Sequence, residues 1–377
     1  MNALSVSNVT KIFVNGLSAL LGGGQTYLLH LFNELPEGEI HVAVPHELKD
    51  SIPLHPRLIR VPATFAQRSR LHRFLWENFS LPRYLRAQRI DIYYQPSGML
   101  PWRNIAPTRT AIAFRNMLPF AATESSRFPL GLKRLRYWLL RQALSRDFRR
   151  AHLVIFVSHF AKQTIDHLLP RRRGRSAVVY HGLDEGFRRP TPRPPTLSGE
   201  YVLYVSILNY YKAQVDVVRS WAMVRARRPT PEKLVLLGPA NSSYGRKVRA
   251  EVKNLCLDGE VIFIGKVSHR DLPGYYQHAK LNVFASSCEN CPNILLEQLA
   301  AGRAILASNY QPMPEIATSA ALYFDPYRPM ELCQLILKTI DDPDQLDTMG
   351  REARRRSEDF SWAKTRQETW QALLELG

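Results

Sequence analysis

Cysteine is scarce in this sequence. Its 377 residues carry four, Cys256, Cys288, Cys291 and Cys333. That is too few for a disulfide scaffold, so a hydrophobic core must hold the fold, and a reducing cytosol is the simplest setting. Long apolar runs are also missing. No stretch approaches the roughly 20 apolar residues that span a bilayer. The start, MNALSVSNVTKIFVNGLSALLGGG, has no basic head and no apolar run ending in small residues, so it does not read as a signal peptide. These absences lead us to expect a soluble or peripheral protein that stays in the compartment where it is made. The third shortage is acid, and it is confined to one half. Residues 1–190 hold 28 Lys and Arg against 12 Asp and Glu, a net of +16. Residues 191–377 hold 23 against 21, a net of +2.

The basic half is rich in arginine, in runs such as RSRLHRF, LKRLRYWLLRQALSRDFRR and RRRGR. Such a surface suits polyanions: nucleic acid, anionic lipid headgroups or a phosphorylated substrate. The bland alternative is a basic surface with no partner. The arginines follow no nucleic-acid motif and lack aromatic interleaving, so no nucleic-acid partner is expected.

Apolar residues make up 45% of the chain, enough for two cored domains of ordinary size. The first half contains HVAVP, RLIRVPA, IDIYYQP, TAIAF and LVIFVS. The second contains YVLYVS, KLVLLG, VIFIG, LNVFAS and AILAS. Short apolar runs bounded by turn residues are the mark of buried parallel strands. Amphipathic segments lie between them, for example Leu132–Leu144, with Leu135, Trp138, Leu139 and Ala143 near helical spacing. Arg188–Glu200, RRPTPRPPTLSGE, is rich in proline and has no periodicity, so it reads as a linker. The fold class is therefore α/β, with two doubly wound Rossmann-like domains. The expected organisation is a basic first domain over 1–187, a linker over 188–200 and a second domain over 201–357. A closing helix over 358–377 should pack back on the first domain, with Trp362, Thr365, Thr369, Leu373 and Leu374 on its inner side. Ligands of such sheets bind at the carboxyl ends of the strands, so both domains are expected to face a shared cleft.

The stretch SSCENCPNILLEQLAAGRAILAS, from Ser286 to Ser308, has two glutamates eight positions apart, Glu289 and Glu297. Between them, Cys288 and Cys291 form a C-x-x-C. A zinc site needs four ligands, and there is no second C-x-x-C and no nearby His pair. A redox site needs a thioredoxin-like context. Small packing residues are the simpler reading of both cysteines, and no metal is expected. LNVFAS is strand-like and PNILLEQLAAG is helix-like, with Pro292 suited to the first turn and Gly302 to the residue past the end. Glu289 then lies in a loop, and Glu297 lies inside the helix. As a surface residue Glu297 would be unremarkable, but its neighbours Leu295, Leu296, Leu299 and Ala300 are apolar. The backbone N–H groups from about Asn290 to Leu295 would point outward at the helix start, where the dipole favours phosphate or polar hydroxyls.

This stretch resembles the E-x7-E element of the retaining GT-B glycosyltransferases of family four. The resemblance runs through nearly the whole chain in order: LGGGQTYLLHLFNEL, VSHFAKQTI, VVYHGLDEGF, YVLYVSILNYYKAQ, LVLLGP, FIGKVSHRDLPGYYQHAKLNVFASS and PEIATSAALYFDP. It implies a metal-independent, cofactor-free, hexosyltransferase-type enzyme that takes a nucleoside-diphosphate sugar. Glu297 is similar to the acid that binds the ribose hydroxyls, and Glu289 to the acid beside the transferred sugar. Backbone amides of Asn290, Cys291, Pro292 and Asn293 correspond to the segment along the sugar and diphosphate, although Pro292 itself has no N–H. Lys212 resembles the lysine that neutralises the leaving diphosphate. Gly23 and Gly24 correspond to the loop that approaches the diphosphate, with Gln25 opening the helix, and Lys266 and Val267 to the seat of the base.

Two positions depart from the family pattern. Its Gly-Arg and the Arg beside the lysine are replaced by Ser206-Ile207 and Tyr211. Its His-Asp is replaced by Arg115-Asn116, which either contact a sugar or only anchor their loop. His159 and His181 read as structural. The resemblance implies a saccharide or lipid-linked acceptor, and the basic first domain fits an anionic membrane surface and bacterial surface-polysaccharide assembly. The alternatives are a non-catalytic basic module for membrane or nucleic acid, a degenerate transferase, or another GT-B enzyme such as a sugar-nucleotide epimerase. A phosphorylase would need a pyridoxal-phosphate lysine context, which is not found.

Overall fold

Apolar runs bounded by turn residues become strands because each is covered on both faces. The computed structural model describes residues 9–19, 23–97, 99–128, 131–229 and 231–377. The first eight residues of the N-terminal segment discussed above therefore lie outside the described residues. The chain divides into two compact units. One comprises Met1–Arg115, Trp138–His181 and Trp362–Gly377; the other comprises Asn116–Tyr137 and Gly182–Ser361.

The first unit is built on seven strands: β1 Lys11–Asn15, β2 Glu39–Ala43, β3 Leu58–Arg60, β4 Ile92–Gln95, β5 Arg109–Phe114, β6 Leu153–Phe156 and β7 Arg175–Val178. All pair in parallel in the order β3-β2-β1-β4-β5-β6-β7. The sequence reading found five of these and missed β1 and β7. KIFVN has an apolar run of only three residues and RSAV of only two, so neither stands out by composition, yet β1 is an interior strand of the sheet. Its Phe13 lies beside His41 on one side and Tyr93 on the other.

The helix Trp362–Leu374 belongs to this unit. Trp370 Nε1 donates to Leu31 O at 3.2 Å, and Trp362 meets Tyr27 edge-on. Trp362, Thr365, Thr369 and Leu373 are buried as their spacing implies, but Trp370 is buried in place of Leu374, which is half-buried. At about 100° per residue, Trp370 lies closer to that stripe than Leu374 does. A second correction concerns the helix Leu132–Arg150. The helix is present, but Leu135, Trp138 and Leu139 are exposed, and it is Leu144, Ser145, Asp147 and Phe148 that are buried.

The second unit has six strands: β8 Tyr201–Val205, β9 Lys233–Leu237, β10 Val261–Gly265, β11 Leu281–Phe284, β12 Ile305–Ser308 and β13 Leu322–Phe324. Their order is β10-β9-β8-β11-β12-β13, again all parallel. The sequence reading had five of the six; LYF is too short to register. Both sheets are therefore doubly wound. Residues 188–200 form no helix or strand. They are not loose, because the Gln277 carboxamide accepts from Thr191 N at 3.0 Å and donates to Arg189 O at 2.7 Å.

Candidate active site

In a doubly wound sheet the loops leaving the carboxyl ends of two neighbouring strands diverge where the strand order reverses, and that opening takes the ligand. In the second sheet the reversal lies between β8 and β11. Lys212 follows the first of these strands and Glu289 the second.

Lys212 closes a tight turn, Tyr210–Lys212, and the next residue, Ala213, takes the left-handed conformation at φ 51° and ψ 30°. For a residue with a Cβ this is unfavourable by roughly 1–2 kcal/mol, so surrounding contacts must enforce it. Tyr204 Oη donates to Lys212 O at 2.6 Å. Gln214 Nε2 donates to Ser206 Oγ at 2.8 Å and Ile207 O at 3.0 Å. Gly238 is needed beside this turn: a Cβ there would stand 2.1 Å from Ser206 O, and its φ is +143°. The Lys212 side chain is buried, and its Nζ donates to Glu289 Oε1. The two loops are also joined through their backbones, with Ser287 N donating to Tyr211 O at 2.8 Å.

The helix after Glu289 runs Asn293–Ala301. Pro292 sits one position earlier than expected, as the cap rather than in the first turn, and its carbonyl accepts from Leu295 N at 3.0 Å. Gly302 ends the helix at φ 67°, as its position implied. No side chain caps the start, so the positive end of the helix dipole lies beside Glu289 and Lys212. Asn290, Cys291, Pro292 and Asn293 all lie at this end.

Glu297 is not a solvated surface acid. It is buried, and Tyr276 Oη donates to its Oε2 at 2.9 Å. His269 Nε2 lies 3.3 Å from its Oε1. That hydrogen bond raises the His269 pKa against the opposing effect of burial. Tyr276 is fully buried, and burial pushes its phenol far up, with Glu297 adding to the shift. The sequence reading missed both residues. The available signal was Glu297 itself, since a carboxylate on an otherwise apolar helix needs polar partners. Lys266, exposed, and Val267, half-buried, share the loop after β10 with His269.

Gly23, Gly24 and Gln25 open the helix Gly23–Phe32 of the first unit; Leu21 and Gly22 of the same motif lie outside the described residues. Arg115 also belongs to the first unit, with its guanidinium 3.5 Å from the Tyr27 ring centroid. Asn116 groups with the second unit, and its Oδ1 accepts from Leu118 N at 3.2 Å, a loop-anchoring bond. His159 and His181 make ring contacts with Tyr180 and Trp362. Cys288 and Cys291 are buried and unbridged, and burial pushes the Cys288 thiol up, so it stays protonated. Among the described residues, no group of three or more His, Cys, Asp or Glu is placed to hold a metal ion.

One network lay beyond the sequence reading. Ser287 Oγ is 2.7 Å from Tyr327 Oη, which donates to Glu124 Oε2 at 2.7 Å. Arg127 Nε lies 3.2 Å from the same carboxylate, and its guanidinium is 3.6 Å from the Tyr327 ring centroid. Glu124 and Arg127 come from the 116–137 segment, far from Ser287 in sequence. The positions where the family pattern has arginines are neutral here: Ser206 is buried, Ile207 is exposed, and Tyr211 is half-buried with its phenol pushed up by desolvation.

Comparison with known proteins agrees with this arrangement. Residues 192–356 match the family described as Glycosyl transferases group 1, and residues 21–187 match Glycosyltransferase Family 4. The chain is 23% identical over 287 residues to the O-antigen chain mannosyltransferase B of Escherichia coli, covering 74% of this chain and 72% of that protein. It is 22% identical over 290 residues to the serotype-specific mannosyltransferase WbdA of Escherichia coli; that match covers 72% of this chain and spans 33% of the longer protein. Among solved structures, Anabaena HepE in complex with UDP-glucose superposes with a TM-score of 0.69 at 17% identity, covering 97% of this chain and 99% of that one. With both halves matched in order and two doubly wound parallel sheets in the fold, the chain belongs to the GT-B glycosyltransferases of the group 1, family-four type.

Proposed function

We propose that the chain transfers a sugar from a nucleoside-diphosphate sugar to a saccharide or lipid-linked acceptor, with retention of the anomeric configuration. The observation that carries this reading is the convergence of Lys212, Glu289 and a helix start at the switch point of the second sheet. Negative charge grows on the diphosphate as it leaves. A lysine and a helix N-terminus already in place stabilise that charge as it forms. Glu289 holds Lys212 by an ion pair. On donor binding the diphosphate oxygens take Lys212, and Glu289 turns to the sugar hydroxyls. Glu297, fixed by Tyr276, accepts from the ribose hydroxyls. The positive charge supplied by these groups is why we propose a reaction without a bound metal or other cofactor.

The acceptor is assigned to the first unit, and an anionic membrane surface is its proposed setting. The similarity to two O-antigen and serotype mannosyltransferases supports lipopolysaccharide or other surface-polysaccharide synthesis in the cytoplasm. The test is thermal shift against UDP-, GDP-, ADP- and dTDP-sugars. One donor should stabilise the protein, and Glu297→Ala should abolish the effect. Turnover in chelator, with the product anomer read by NMR, tests the metal and stereochemical parts. No response to any donor would sink the reading.

A further inference from the structure

The first unit exposes several large apolar side chains, including Trp138 and Leu139 of the helically spaced set. Trp102 is 64% exposed, Trp138 57% and Leu139 53%. Leu71, Phe74 and Phe79 are exposed as well. A lone exposed apolar residue needs no explanation, but a connected set does.

Contacts link these residues. Phe74 meets Trp102 edge-on, with ring centroids 5.8 Å apart. Arg103 lies over Phe79 at 4.2 Å and Arg146 over Trp102 at 5.0 Å. Leu71 is one turn before Phe74 on the helix Arg70–Leu75. Leu139 is two turns before Arg146 on the helix Leu132–Arg150 and shares its face, with Trp138 alongside.

The protrusion is built rather than loose. Asn78 Oδ1 accepts from Trp102 N at 2.7 Å and Arg103 N at 3.2 Å. Leu100 N donates to the buried Asp147 carboxylate at 3.0 Å, and Arg150 Nη1 donates to Pro101 O at 3.1 Å. These bonds hold Trp102 out in water. Folding brings Arg103 over Phe79 and Arg146 over Trp102, pairs that lie far apart in the sequence.

We infer that this ridge is a membrane-docking surface that enters the headgroup region of an anionic bilayer. Rings and leucines sink into the acyl boundary, while the exposed Arg103 meets phosphates at the same depth. Charge complementarity favours a bilayer over a second copy of the chain, since residues 1–190 carry a net +16 and would repel themselves. No described helix is long and apolar enough to cross a membrane, so attachment would be lateral.

The inference does not depend on the donor reading, and its test keeps the two apart. The full chain is mixed with phosphatidylcholine vesicles with and without phosphatidylglycerol, at low and high salt. The expected result is binding that phosphatidylglycerol strengthens and that high salt weakens but does not remove. The triple variant Trp102→Ser, Trp138→Ser, Leu139→Ser should lose the salt-resistant part and bind about tenfold or more weakly. Arg103→Glu should weaken the salt dependence. The triple variant and Arg103→Glu should keep the wild-type melting temperature and donor response, because these side chains are exposed. Four results overturn the inference: no vesicle binding by the wild type, binding abolished by salt alone, a triple variant that binds like the wild type, or ridge-dependent dimerisation or RNA binding in place of vesicle binding.

Discussion

The two halves of the sequence differ in how much charge they carry and in where they put it. Residues 1–190 have a net charge of +16, yet most of those arginines lie on the surface. Residues 191–377 are close to neutral, yet they hold Lys212 and Glu297 in buried, and Glu289 in half-buried, hydrogen-bonded positions. Net charge governs long-range attraction to a surface, whereas chemistry depends on a few charges held out of water. The basic excess thus points to a setting and the neutral half to a reaction. The switch points of the two sheets make the same contrast. In the first, Asn15 Nδ2 donates to Glu77 Oε1 at 3.0 Å and Tyr93 Oη at 2.9 Å, a closed and buried set. In the second, Lys212 and Glu289 lie beside the start of the helix Asn293–Ala301, and Glu297 lies within that helix.

The largest expected effect tests whether the units are independent. Trp370→Ala removes a buried indole from the core of the first unit and should cost about 3–5 kcal/mol. Hydrogen exchange should then show lost protection in β1 and β4 and kept protection in β8 and β11. Equal loss in both sheets would erase the comparison. Lys212→Ala comes next. It should lower kcat by about 10²–10³ with the fold intact, as removal of a preorganised charge-stabilising group does. A loss below about tenfold would move the catalytic charge elsewhere, with Arg127 the first residue to test.

Much of this was legible in the sequence, for physical reasons. Ten of the thirteen strands declare themselves because strands buried on both faces are apolar throughout. Pro292 and Gly302 bracket a helix because one cannot sit inside it and the other tolerates the left-handed end. The failures also have causes. β1 opens on Lys11 and closes on Asn15, so this interior strand shows an apolar run of only three residues. The Leu132–Arg150 helix has apolar spacing, and spacing alone does not say whether a core or a membrane covers the stripe. Glu124, Arg127 and Tyr327 meet Ser287 through contacts of long sequence separation, which no local pattern encodes. His269 and Tyr276 were hidden because their role exists only once Glu297 is placed.

Glu297 and its partners therefore offer finer tests of the second switch point. Glu297→Gln keeps the shape but removes the charge. Loss of a charged hydrogen bond, about 1.5–3 kcal/mol, should weaken donor binding by roughly 10- to 100-fold in calorimetry. Tyr276→Phe keeps the carboxylate and removes one donor, so about 1 kcal/mol is expected. If it equals Glu297→Gln, orientation rather than charge is what the donor reads.

The smallest effect concerns His269. Its pKa is raised in the folded chain by its bond to Glu297, from an ordinary value of 6.5. A raised folded value means the protonated form is stabilised by folding. The contribution is therefore full below about pH 6.5 and lost as pH rises through the folded value. The side chain is 59% exposed, so solvent screening keeps the effect small. The difference in melting temperature between wild type and His269→Gln should shrink as pH rises across that window. In a Glu297→Gln background it should be flat with pH. A difference that grows with pH would mean that the neutral imidazole is the stabilising form. The bond would then be donated by a neutral ring, and the Glu297 end of the site would carry one positive charge fewer than the present arrangement gives it.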